Sequence, residues 1–385
     1  MKVDPEKLSR TFNSLFNQNP TLYRAPGRVN LIGEHTDYND GFVMPMNTAV
    51  FTWLAAGKRQ DRTVRAHSVM FDESFEFDLD SIEAGGAPAW AEYVKGVAFV
   101  LQDEGFELRG ADLLIDGEIP LGGGLSSSAS LEAVVGTALL DVAGLQVDSM
   151  KLALMCQRAE HEFAGVPCGI MDQAVIAACP QHHAMKLDCR SLQAEFIRLP
   201  ENLCLLVVDS GVKHQLSDGG YRQRREECEQ AVAVLSGHDP KVSSLRDADM
   251  KLVQLHADEM GQKPFLRARH VVSEIQRVLD AEAALADRDL VDLGTILNAS
   301  HASLRDDFQV SCAELDFLQE TAAGHPAVFG ARMVGGGFGG CMISLIEPGG
   351  LDEARHHILE AYRAYSGTRP WSNVVESAPP ASRFG

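Results

Sequence analysis

The sequence predicts an α+β protein of two domains, on three observations. Strand-like segments fall in both halves of the chain, at residues 41–66, 111–119 and 204–209, and in CMISLIE from Cys341. Helical runs stand among them without the regular alternation of a repeating βαβ ladder. The 385 residues suffice for two ordinary domains. The reading places the boundary near residue 200, giving units 1–200 and 201–385.

Each element rests on a local pattern. GFVMPMNTAVFTWLAAG, followed by TVRAHS, reads as strands, and ADLLIDGEI alternates well enough for another. PLGGGLSSS is a loop. After it, Leu131, Val134, Val135, Ala138, Leu139 and Val142 recur at helical spacing. A second apolar face is marked by Leu152, Met155, Cys156, Ala159 and Phe163. Pro167 to Gly169 breaks the chain, and a third helical run begins near Met171. CLLVVD reads as a buried strand, residues 219–323 as helix-rich, and 335–340 as a glycine loop before a last strand.

Composition narrows the function. Lys and Arg total 34 against 54 Asp and Glu, a net charge of -20. Such a chain repels phosphate polymers and anionic lipid, which makes it a poor general nucleic-acid or membrane-surface binder. An anionic ligand must be held locally, by backbone N–H groups, a few cations and a metal. Eight scattered cysteines without C-x-x-C suit reduced thiols in the cytoplasm. The polar start MKVDPEKLSRTF has no apolar signal core, and no stretch approaches a membrane span.

Gly122, Gly123, Gly124, Leu125, Ser126, Ser127 and Ser128 lie between a strand and a helix. Glycines let backbone approach an anion, and the helix start offers free N–H groups. A flexible loop with an ordinary serine cap is the competing reading. No Walker A sequence and no protein-kinase H-R-D or D-F-G occurs. Gly335–Gly340 contains G-x-G-x-x-G but runs into a strand near the C-terminus, which rejects a dinucleotide-binding turn. It is either a glycine hairpin or a backbone packed closely on a phosphate loop. Glu34, His35, Thr36 and Asp37 put two carboxylates and an imidazole into four residues. Carboxylates accept well from vicinal sugar hydroxyls; a metal or a solvated turn are the alternatives. Arg28 either faces a phosphate or lies on the surface. Asp172, just past the Pro/Gly break, is either a helix-start partner or a proton acceptor.

These pieces occur together. APGRVNLIGEHTDYNDGFVMP, PLGGGLSSSAS, GVPCGIMDQ and RMVGGGFGGCMISL resemble, in order and separation, the galactokinases of the GHMP small-molecule kinase family. The resemblance covers nearly the whole chain, and GRVNLIGEHTDYNDG is its most specific part. It implies an N-terminal domain with a left-handed βαβ crossover, a ferredoxin-like α+β C-terminal domain, and ATP and sugar in the cleft between them. The implied activity is ATP-dependent phosphorylation of the C1 hydroxyl of galactose, opening its catabolism, by a cytoplasmic monomer.

The resemblance also assigns residues. Gly122 to Ser128 would wrap the ATP phosphates, with Trp90 and Tyr93 at the adenine. Ser128 and Glu160 would hold Mg²⁺. Asp172 would be base or aligning carboxylate, with Arg28 beside it. Glu34, His35, Thr36, Asp37, Gly169, Asp172 and Tyr221 would contact galactose, and Gly335–Gly340 would back the phosphate site. Two positions depart from the family pattern: Gly123 stands where Ala or Ser is commoner, and Arg222 follows Tyr221 where Asn is usual. A kinase for N-acetylgalactosamine or arabinose, and a sensor without turnover, are the rival readings. The intact GLSSSAS, Arg28 and Asp172 favour an enzyme.

Overall fold

The computed structural model describes residues 2–120, 124–213 and 217–385. Its strands are β1 (Thr21–Asn30), β2 (Phe42–Val43), β3 (Pro45–Lys58), β4 (Thr63–Ser68), β5 (Glu73–Asp78), β6 (Ala111–Gly117), β7 (His183–Asp188), β8 (Ala194–Arg198), β9 (Cys204–Lys213), β10 (Val328–Val334), β11 (Gly339–Ile346), β12 (Trp371–Val374) and β13 (Ser382–Phe384). Both halves mix strands and helices, as the α+β reading expects.

The first sheet has the order β13-β1-β3-β6-β4-β5. Its pairs are antiparallel except β4 with β6, which run parallel around the helix Ala89–Asp103. That helix, Ser127–Ala143 and Ser149–Ala159 cover one face through Val94, Leu101, Val135, Leu139 and Met155, all buried. Full burial of such side chains is worth roughly 1.5–3 kcal/mol each. In the second half β9, β10, β11 and β12 form the order β10-β11-β9-β12. Read from the other edge, the fourth strand in chain order is followed by the first, third and second. All three pairs are antiparallel, and the connections β9–β10 and β11–β12 carry helices. This is the ferredoxin-like βαββαβ arrangement. A small sheet, β2-β7-β8, completes the fold.

The halves share a core. Val29, Ile32, Met44 and Met46 from the first half pack in one cluster with Leu205, Val207, Ile343 and Leu345 from the second. The chain's end also returns to the first half, because β13 pairs with β1. The ends of β1, β11 and the helix starts at Ser127 and Met171 therefore meet at one seam.

Candidate active site

Arg28 lies on β1, two residues past Pro26, where the pairing with β3 shifts register. Such an irregularity re-aims the following side chains. Beside it, Gly27 leaves room for the loop: a Cβ there would stand 3.0 Å from the Leu125 carbonyl oxygen. Arg28 N–H donates to that same oxygen at 3.1 Å. Arg28 is 5% exposed. Its Nε and Nη2 donate to the two carboxylate oxygens of Asp172 at 2.6 Å each, and Nη1 donates to the Gly124 carbonyl at 2.5 Å. Asp172 occupies the first turn of the helix Met171–Ala178. The surface reading of Arg28 is thus excluded: strand, loop and helix converge on one planar, two-bond ion pair.

The serine loop also departs from ordinary capping. Ser126 takes a left-handed φ of 59° at the start of the helix Ser127–Ala143 and makes no capping bond with its side chain. Its hydroxyl donates instead to Asp172 Oδ2. The helix start is left without a side-chain cap, facing the cleft, which suits an anion. Gly122 and Gly123 lie outside the described residues. Gly124 packs against β10 and the glycine loop: a Cβ there would be 3.3 Å from the Val334 carbonyl oxygen. The start of the glycine loop, at Gly335, therefore packs against Gly124 of the glycine–serine segment.

These groups line a cleft of about 680 Å³, open between the halves. Glu34, His35 and Asp37 form one wall; Gly169, Tyr221 and the 334–340 segment form others. Glu34 is 2% exposed and tightly held. Asn30 Nδ2 donates to Oε2, while Oε1 accepts from Gly335 N–H at 2.8 Å and faces Arg332 Nη2 at 2.5 Å. His35 Nδ1 lies 2.8 Å from the Tyr38 hydroxyl. Burial, with His270 nearby, pushes the His35 pKa down to about 3, so the imidazole is neutral. Asp37 is the opposite case: burial, then the Asp172 and Glu34 charges, raise its pKa to about 7. Gly169 touches it, since a Cβ would fall 1.7 Å from Asp37 Oδ2. Tyr221 packs 5.7 Å from His35 and 5.3 Å from Tyr38, and Arg222 reaches the cleft from its exposed rim.

Glu160 opens a single π-helical turn, Glu160–Ala164, a local widening common at functional sites. Its Oε2 accepts from Gln173 Nε2 at 2.6 Å and from the Cys168 thiol at 3.3 Å. Ser128 bonds to it as well, and burial leads the causes that raise its pKa. Behind it, Glu132 is fully buried, with Oε2 3.2 Å from Gln173 and Oε1 without a partner. Burial and then Glu160 push Glu132 well above the carboxylate range.

Two expected contacts are not brought to the cleft. Thr36 is fully buried and donates inward to the Gly33 and Phe42 carbonyls, at 2.9 and 2.7 Å, so its hydroxyl closes the turn. Tyr93 lines neither this cleft nor the neighbouring hollow. Trp90 does line that hollow, of about 60 Å³, with Ser127, Met70, Phe71 and Leu131. Its indole N–H donates to Glu73 at 2.8 Å. The sequence signal for this hollow is the apolar pair Met70 and Phe71 in SVMFDE, both exposed. Arg332, Glu132 and Gln173 were missed, and no local spacing marks them.

Fold and site together define a small-molecule kinase of the GHMP class. Family models match for the GHMP kinases N terminal domain over residues 92–179, the GHMP kinases C terminal over 281–364, and the galactokinase galactose-binding signature over 10–58. A galactokinase of Chloroflexus aggregans is 45% identical over 357 residues, 92% of each chain. One of Actinobacillus succinogenes is 42% identical over 365 residues, 93% of this chain and 94% of that one. The structure of Lactococcus lactis galactokinase complexed with galactose superposes with a TM-score of 0.95 at 35% identity, over 98% of this chain and 99% of that one. Methanococcus jannaschii mevalonate kinase, at 17% identity and a TM-score of 0.65 over 94% and 99%, shares the fold. The chain belongs to the galactokinase family.

Proposed function

We propose that this chain transfers the γ-phosphoryl group of ATP to the C1 hydroxyl of galactose, giving galactose 1-phosphate and ADP. The observation that carries the reading is the Arg28–Asp172 pair, set between the uncapped helix start at Ser126–Ser128 and the Glu34–Asp37 wall. In the reaction the C1 oxygen bonds to the γ-phosphorus as the bond to the ADP oxygen breaks, and the hydroxyl proton passes to Asp172. Such transfer is mostly positioning and charge stabilisation. Arg28, fixed by three hydrogen bonds, presents its charge where the equatorial oxygens gather charge. Asp172, held by Arg28 and Ser126, aligns the hydroxyl in line; a positioned base contributes typically about 10²–10⁴-fold.

The sugar wall has a division of labour. Glu34 is oriented by Arg332 and Gly335 before any sugar arrives, and Asp37 keeps its carboxylate beside Gly169, where a hydroxyl pair can donate to it. His35, neutral, and Tyr221 supply the flat apolar side. Trp90 and its hollow are the seat for the adenine.

The donors at Ser128 and Glu160 fit Mg²⁺. A hydroxyl and a carboxylate are hard oxygen ligands. Burial, and then the Asp172 charge, raise the Glu160 pKa, so a cation bound there would offset the cost of keeping the carboxylate ionised. The metal would supply neutralisation of the phosphate charge. The same reading makes the chain a cytoplasmic monomer; none of the eight cysteines is in a disulfide and no helix among the described residues is long and apolar enough to cross a membrane.

The test is ADP release measured with galactose, glucose, N-acetylgalactosamine and arabinose, with the phosphorylated carbon assigned by NMR. Galactose with product at C1 is the expected outcome. Preference for another sugar, or ATP binding without turnover, would refute it.

A further inference from the structure

Far from the cleft, three potential metal ligands meet. His238 is the last residue of the helix Ser217–His238. His256 joins two short helices, Met250–Leu255 and Ala257–Met260, and Glu259 lies in the second. His238 Nε2 stands 2.7 Å from Glu259 Oε2, and His256 Nδ1 stands 3.7 Å from the same oxygen. The imidazoles stack with centroids 3.7 Å apart. One ligand atom from each residue falls within 4.8 Å of the others, a grouping of His, Cys, Asp or Glu found here alone among the described residues.

We propose that His238, His256 and Glu259 form a zinc-binding site separate from the kinase cleft. Two imidazole nitrogens and a carboxylate oxygen, with water in the fourth position, are a set that zinc takes and that Mg²⁺ and Ca²⁺ disfavour. Ligand bonds of about 2.1 Å in a tetrahedron put ligand atoms roughly 3.4 Å apart. The observed 2.7 and 3.7 Å bracket that spacing. The parallel rings must unstack to aim both lone pairs at one ion. His238, with its side chain 39% exposed, is the one free to swing, whereas His256 is 16% exposed and anchored.

The frame is rigid. Leu235, Val253 and Met260, neighbours of the three ligands on their own elements, are buried in one core cluster. The C-terminal end of a 22-residue helix, carrying its partial negative charge, adds attraction for a cation at His238. The site is remote from the sugar: Tyr221 is 17 residues back along the same helix, or about 25 Å. A zinc ion would therefore clip this helix to Ala257–Met260 without entering the reaction. The competing account is a plain His–Glu surface pair.

The experiment is calorimetric titration of the untagged full-length protein with zinc chloride at neutral pH, beside a His238→Ala/His256→Ala double variant and Glu259→Gln. Expected is one zinc per chain with Kd below about 100 µM, weakened at least tenfold in the double variant and also weakened in Glu259→Gln. The kcat with MgATP and galactose should stay unchanged in both variants, which also reports that they fold. Wild-type binding weaker than that, or a loss of less than tenfold in the double variant, overturns the proposal; zinc held elsewhere, at thiols or the cleft, gives the second result.

Discussion

Asp37 should lower the stability of the protein that carries it. Its folded pKa is raised from 3.8 to about 7 by burial and by the Asp172 and Glu34 charges. The sign follows from proton counts. Below pH 3.8 both folded and unfolded states hold the proton, and Asp37 has no effect. Between 3.8 and about 7 the unfolded chain has released a proton that the folded one retains, so the cost of folding Asp37 grows with pH. Above 7 both are ionised and the cost is constant. At about 1.4 kcal/mol per pH unit, the interval sums to roughly 4 kcal/mol. Asp37→Asn keeps the shape without the charge. It should stabilise the sugar-free protein by roughly 2–4 kcal/mol at pH 8, allowing for imperfect hydrogen bonding of the amide. At pH 4 the gain should nearly vanish. Urea unfolding of both proteins at pH 4, 6 and 8 measures this. A gain independent of pH, or a loss at pH 8, would show that Asp37 is not held in a repulsive, desolvated place. The same variant should lose most of its kcat/KM for galactose, because the amide presents one acceptor where the carboxylate presented two, and the preference over glucose should narrow. Sites built to bond a hydroxyl discriminate by roughly 10⁴ or more, apolar ones by about 10².

Two further perturbations test neighbouring parts. Gly169→Ala drives a methyl into Asp37 Oδ2, 1.7 Å away, so the wall must shift. Overpacking costs about 1–3 kcal/mol, and galactose affinity measured by calorimetry should fall while ATP affinity holds; unchanged galactose affinity would remove Asp37 from the sugar site. Ser128→Ala should raise the Mg²⁺ concentration needed for half-maximal activity at saturating galactose more than it weakens galactose binding. An unchanged Mg²⁺ profile would leave Ser128 as a helix residue only.

Much of this site was legible because the chemistry-bearing residues cluster in short, locally patterned segments. Glu34 to Asp37 and Gly124 to Ser128 announce themselves by composition. The helices from Leu131 and Met171 are plain from their spacing, as are β3 and β9 from their apolar runs. What local spacing leaves open is which distant segments meet. Arg28 sits in APGRVN, where Pro26 and Gly27 obscure a ten-residue strand, so the sequence allowed either a surface arginine or a phosphate ligand. Only the pairing of β1 with β3 and the approach of Gly124 and Asp172 decide between them. Ser126 looks like a helix cap in sequence and bonds Asp172 in the structure, because its left-handed backbone turns the hydroxyl away from the helix. Thr36 shares a motif with the cleft residues yet points the other way, as neighbours in a tight turn do. Arg332 acts on Glu34 across the seam between halves, a relation with no local pattern to find.

The account rests most directly on Asp172, and kinetics of Asp172→Asn against its binding constants test it. Asparagine keeps the shape but leaves one arm of the Arg28 fork facing an amide donor, and it cannot take the hydroxyl proton. If Asp172 acts in the transition state, kcat for galactose should fall by roughly 10²–10⁴, while Kd for galactose and MgATP stays within a few-fold. Near-wild-type kcat in a folded variant would contradict the claim that the Arg28–Asp172 pair is the centre of phosphoryl transfer.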